Sequence, residues 1–80
     1  MAREERTAQE IQAEVSRLIH ERRPVRDARA RVEVPLPVAL RPVDGTGLNW
    51  WMSGFGNALG YEEDIREAVS AVSKRWNLTS

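Results

Sequence analysis

Arg31-Val-Glu-Val-Pro-Leu-Pro-Val-Ala-Leu-Arg41 is the stretch whose reading decides the fold. Val32, Val34, Leu36, Val38 and Leu40 take every second position, with Glu33, Pro35, Pro37 and Ala39 between them. A period of two sorts side chains onto opposite faces of a strand, so this segment reads as a strand with one strongly apolar face. The prolines say which edge is free. Residues i and i+2 point their N–H groups to the same side, and Pro35 and Pro37 have none to offer, so that side is expected to be an open edge and the other to pair with the next strand.

The next strand is expected close by. Arg41-Pro-Val-Asp-Gly-Thr-Gly47 contains Asp44-Gly45, a strong hairpin signal, and leads into Leu48-Asn-Trp-Trp-Met52. A plain two-residue turn would set Val38 opposite Trp51 and Leu40 opposite Asn49, splitting the apolar residues of the two strands between faces. A one-residue bulge at Gly45 or Gly47 would instead bring Leu48, Trp50 and Met52 onto the Val/Leu face, and this is the expected register.

Helices flank the hairpin. Thr7-Ala-Gln-Glu10 has capping-box spacing, and Ala8, Ile11, Val15, Leu18 and Ile19 follow at steps of three and four, making one apolar stripe. Pro24 disfavours helical geometry at Arg23, so this helix is expected to stop between Glu21 and Arg23. Tyr61 to Trp76 reads as a second helix with Ile65, Ala68, Val69, Val72 and Trp76 on its buried side. Its first turn holds Glu62, Glu63 and Asp64 and its last Lys74 and Arg75, the order a helix dipole favours.

The order helix, strand, strand, helix implies a two-layer α+β sandwich, αββα, with both amphipathic helices on one face of a short antiparallel hairpin. Two strands make a narrow sheet, and a short third strand near Val25 to Arg29, or pairing between copies, would widen it. Residues 1–6 are polar and expected to be a frayed arm, leaving 7–80 as a single small domain.

Composition narrows the chemistry. Eighty residues are 41% hydrophobic and 30% charged, with no cysteine and one histidine. Disulfides, thiolate metal sites and cysteine nucleophiles are excluded. The charged amino-terminal residues lack a following apolar run, so a cytoplasmic protein is expected. His20 has Ser16 one turn before it, but no orienting acid or oxyanion donors are evident, and a solvated histidine is expected. Glu62, Glu63 and Asp64 are consecutive and fan out around a helix rather than converge on a metal ion. Gly54, Gly56 and Gly60 lie between strand and helix, where phosphate loops occur, yet three acids at the helix start would repel a phosphate. No cofactor, metal or catalytic residue is expected.

Two surfaces remain. With the Val/Leu face inward, Pro35, Pro37, Ala39 and Trp51 share the outer face, an apolar patch around a tryptophan of the kind that docks a protein partner or a second copy. Alternatively, Arg22, Arg23, Arg26, Arg29 and Arg31 lie alongside a single acid, Asp27, and could rest on nucleic acid or another anionic partner. No aromatic accompanies them, which weighs against nucleic acid. The 12 basic and 12 acidic residues cancel, but unevenly: 3 against 5 in residues 1–21, 6 against 2 in 22–41, and 3 against 5 in 42–80. Acidic helices around a basic middle point to internal ion pairing as the leading role of the arginines, and a protein partner is favoured over nucleic acid. The function expected is therefore that of a small non-enzymatic interaction module.

Overall fold

The computed structural model describes residues 3–40, 45 and 47–79. Its elements are β1 (Glu4–Arg6), α1 (Ala8–Glu21), α2 (Arg23–Asp27), β2 (Val38–Ala39), β3 (Trp50–Trp51), α3 (Glu62–Ser73) and β4 (Trp76–Leu78). They form an α+β arrangement, with three helices packed against two small strand pairs: β1 with β4, parallel, and β2 with β3, antiparallel.

α1 begins where its sequence signal puts it. Thr7 Oγ1 accepts the Glu10 N–H at 3.1 Å, and Glu10 Oε1 accepts the Thr7 N–H at 3.0 Å, so two free helix-start donors are satisfied reciprocally. Those bonds from Thr7 hold the Glu10 carboxyl below its ordinary value. Ile11, Val15 and Ile19 are fully buried, and the helix stops at Glu21. Pro24 has a second role: in the first turn of α2, where its missing N–H costs nothing, it starts a short helix. The expected third strand near Val25 to Arg29 is thus a helix, anchored by buried Val25 and closed by Arg29 in a left-handed conformation (φ 52), with the Ala30 N–H bonded to Val25 O.

α3 buries Ile65, Ala68, Val69 and Val72 as its periodicity predicts, and packs against α1. It ends sooner than expected. Trp76 belongs to β4, and two guanidinium groups, Arg6 and Arg75, lie over its ring at 5.1 and 5.0 Å from the ring centre. β4 in turn corrects the reading of Glu4–Arg6 as part of a frayed arm, Met1 and Ala2 lying outside the described residues: Glu4 to Arg6 pair with Trp76 to Leu78, tied by Glu4 N–H to Arg75 O (3.0 Å) and Thr79 N–H to Arg6 O (2.9 Å). A three-residue strand carries no periodic pattern to read, and its partner lies at the far end of the chain.

The hairpin takes the plain register, not the bulged one: Val38 faces Trp51, Ala39 faces Trp50, and the Leu40 N–H donates to Asn49 O at 2.9 Å. The turn expected at Asp44-Gly45 lies outside the described residues except for Gly45. Leu48, Trp50 and Met52 nonetheless face the core, as expected. What differs is the first strand, whose alternation inverts along its length. Val32 and Pro37 are buried, while Leu36 and Val38 are exposed. Its pairing switches as well. Glu33 exchanges two bonds with Gly56 (2.9 and 3.0 Å) through its odd-numbered edge, whereas Leu40 pairs through the even-numbered one. Pro35 and Pro37 stand between, where the chain cannot ladder on the odd side, and Gln12 Nε2 reaches over from α1 to donate to Val34 O at 2.8 Å.

Side chains join the two strand pairs. The Asn49 carboxamide donates to Leu78 O (2.8 Å) and accepts the Leu78 N–H (2.7 Å), standing in for the backbone of a neighbouring strand. Trp50, wholly buried, donates its indole N–H to Trp76 O at 2.9 Å, and Asn77 Nδ2 donates to Gly47 O at 3.1 Å. Ion pairs close the helical side. Arg22, just beyond α1, meets Asp64 at 2.7 Å and also Glu67 on α3, and Glu14 receives both Arg17 and Arg75, each at 2.7 Å.

Two outcomes follow from this packing. Asn49→Ala removes both bonds to Leu78 and is expected to lower unfolding stability by about 1–3 kcal/mol in urea titration, and Asn49→Asp is expected to do no better, since it keeps the acceptor for the Leu78 N–H but sets a carboxylate oxygen against Leu78 O. Hydrogen bonds from Arg17 and Arg75 draw the Glu14 carboxyl down from 4.5 to about 2. A carboxyl lowered on folding stabilises fully above its unfolded value, and that stabilisation is lost as pH falls from about 4.5 toward about 2. Acid titration of Glu14→Gln should accordingly show a shallower loss of stability across this window than the wild type.

Candidate functional site

Strand alternation turns Trp51 away from buried Trp50, and the plain register puts Val38 directly across from it on the same outer face. Trp51 is 47% exposed and Val38 65%, so two large apolar side chains meet solvent together on this side, and Leu36, two residues before Val38, is 47% exposed as well. Beyond Trp51 the chain crosses to α3 through the glycine-punctuated connector 52–61. Gly54 adopts a left-handed φ of +82°, and Gly56 passes so close to Glu33 that an added Cβ would lie 3.0 Å from the Glu33 Cβ. Between connector and helix lies an open groove of about 340 Å³, its apolar walls formed by Trp51, Met52, Phe55, Ala58, Ile65 and Val69. Glu62 and Arg66 also line it and supply charge of both signs.

Of the residues expected on the outer face, Trp51 is there. Pro37 is buried, Pro35 is half-buried, and Ala39, though exposed, pairs with Trp50 and so shares the inward-facing set. Val38 and Leu36 occupy the places assigned to the prolines. The reason is the inversion at Pro35 and Pro37: continuous alternation from Val32 to Leu40 required one unbroken strand, and the backbone forms only a bridge at Glu33 and two residues of β2.

The arginines divide. Arg22 is committed to Asp64 and Glu67, and Arg26 lies 3.7 Å from Asp27. Arg23, Arg29 and Arg31 are exposed, with no ion pair among the described residues. The three acids at the start of α3 are each engaged differently. Glu62 accepts the Gly60 N–H at 3.0 Å, Glu63 pairs with Arg66, and Asp64 holds Arg22. Among the described residues, no group of three histidine or acidic side chains is placed to hold a metal ion.

His20 is not the solvated side chain its helical position suggests. Its Nδ1 lies 2.7 Å from Ser16 O, while Nε2 is 3.1 Å from the Val32 N and accepts that N–H. Both contacts together require the neutral tautomer protonated at Nδ1. The ring therefore tethers the strand entry to α1, and Ser16 Oγ, 3.3 Å from the same Nδ1, faces the nitrogen that carries the proton rather than a free base. No sequence pattern announces this, because the Val32 N–H arrives from a loop. No helix is long and apolar enough to cross a membrane among the described residues.

Comparison with family models, with curated proteins and with solved structures finds no match to this chain.

The assignment of faces is open to measurement. Trp50→Ala empties the middle of the core and should cost about 3–5 kcal/mol in urea denaturation. Val38→Ser, on the outer face, should stay within about 0.5 kcal/mol of wild type. Comparable losses at the two positions would mean that the hairpin is turned the other way.

Proposed function

We propose that this chain is a non-enzymatic protein–protein interaction module that docks a partner's apolar side chains on the Trp51 face. One observation carries the reading: Val38 and Trp51 stay exposed on the same outer face, and Trp51 continues into an apolar groove with charge of both signs. A tryptophan rooted in a strand and flanked by an unfilled groove provides the rigid, largely dehydrated contact that dominates protein interfaces. His20, the chain's one histidine, is occupied in holding Val32, and the acids of α3 are taken up in caps and ion pairs. Both uses support a binding rather than a catalytic role.

A second reading rests on Arg23, Arg29 and Arg31, which are exposed and without ion pairs among the described residues and could bind an anionic partner. Capture from a native lysate separates the two. Trp51→Ser should lose the specifically bound proteins, while joint replacement of Arg23, Arg29 and Arg31 by Gln, with Arg22 kept for its link to α3, should retain them. The opposite pattern, with binding that weakens steeply as salt is raised, would favour the anionic reading.

A further inference from the structure

The short segment from Arg31 to Val34 is held from two sides. On one side α1 carries Gln12, Ser16 and His20 at steps of four, which stacks them along a single stripe of the helix. Gln12 Nε2 donates to Val34 O at 2.8 Å and His20 Nε2 accepts the Val32 N–H at 3.1 Å, so the helix clasps the segment at both ends. On the other side lies the connector 52–61. Glu33 exchanges two backbone bonds with Gly56 (2.9 and 3.0 Å), and Asn57 Nδ2 donates to Arg31 O at 3.2 Å. Gly56 and Asn57 stand between Phe55 and Ala58, two walls of the groove, so the segment links those walls to α1.

Of these holds, the one at His20 can be switched by a proton near neutrality, since histidine alone among unperturbed side chains changes charge between about pH 5 and 8. The Nδ1 proton is committed to Ser16 O at 2.7 Å, so a second proton enters at Nε2, which then becomes a donor facing the Val32 N–H, itself a donor. We propose that His20 is a proton-operated latch: gain of a proton at Nε2 releases Val32 from α1 and loosens the segment together with the connector bonded to it. The release depends on the fold alone and stands whether or not the groove docks a partner.

The surrounding charges do not re-lock the imidazolium. On α1, Glu14 and Glu21 hold Arg17, and on α3, Asp64 and Glu67 hold Arg22. α2 brings Arg23 and the Arg26–Asp27 pair, and β4 has no titratable side chain. Beside Val32 stand Arg31, a like charge, and Glu33, whose carboxyl lies against Gly56. Among the described residues none of these forms an ion pair with His20. Protonation therefore loses a hydrogen bond to a backbone N–H and gains no counter-charge.

Proton–nitrogen NMR of the full chain from about pH 8 to about pH 5 tests this, with a single histidine to follow and the carboxyl groups titrating mostly below the window. At the upper end the ring should carry its proton on Nδ1. As it takes the second, the Val32 amide resonance is expected to move with the same midpoint. Hydrogen exchange at the Glu33 and Gly56 amides, corrected for the intrinsic effect of pH, should speed up by at least about tenfold while the Val69 amide in α3 stays protected. His20→Gln keeps an acceptor on the same stripe but cannot titrate, and should abolish the pH dependence. The latch is overturned by a ring that takes its proton with Val32, Glu33 and Gly56 undisturbed, by a ring that stays neutral to the bottom of the range, or by a pH dependence that persists in His20→Gln.

Discussion

An indole buried in an apolar core has one polar atom to satisfy, and the partner it finds constrains everything nearby. Trp50 is fully enclosed, and its N–H reaches the carbonyl of Trp76 at the start of β4. That bond, with the two made by Asn49 one residue earlier, places the end of the chain against the hairpin, so β1 gains a neighbour to pair with and the helices gain a floor. Had Trp50 faced out, β4 would lack both its anchor and the apolar surface beneath it. The outward position of Trp51, and hence the groove, is the other half of the same constraint, since adjacent strand residues cannot share a face.

Charge is arranged around this frame rather than distributed at random. The basic middle of the chain sends Arg22 to two acids of α3, while Arg75, after α3, returns to Glu14 on α1. The two contacts lie at opposite ends of α3 and oppose its sliding along α1. Such partly exposed pairs contribute modestly to stability but penalise mis-registered packing, where like charges would meet. Among the described arginines of that basic middle, Arg23, Arg29 and Arg31 are the ones left without an ion pair.

How far the sequence reaches depends on whether an element's information is local. The capping box at Thr7 and Glu10, the stripes of α1 and α3, and the inward face of Leu48, Trp50 and Met52 were legible because each is written within a few neighbouring residues. The α+β class followed from them. The parity of residues 32–40 was not, because hydrophobic alternation cannot show where two prolines stop a ladder and let the chain roll over. That single inversion exchanges Pro37 for Val38 in the candidate site, while Trp51, whose place depends only on Trp50, is found where it was sought. β1 and β4 escaped notice for a different reason: short parallel strands at opposite ends are specified by a partner, not by a pattern of their own. His20 belongs with them, being defined by an amide that comes from a loop.

The pairing of β1 with β4 also bears on how the chain becomes structured in time. Arg3 donates to the carbonyl of Ser73, 70 positions away, and the parallel ladder beside it joins equally distant residues. Closing so long a loop is entropically costly and is rewarded only once both strands are present. Until β4 has docked beside β1, the Trp50 indole N–H lacks the Trp76 carbonyl and must stay in water or in a provisional contact, so completion of the core waits on the closing of that long loop.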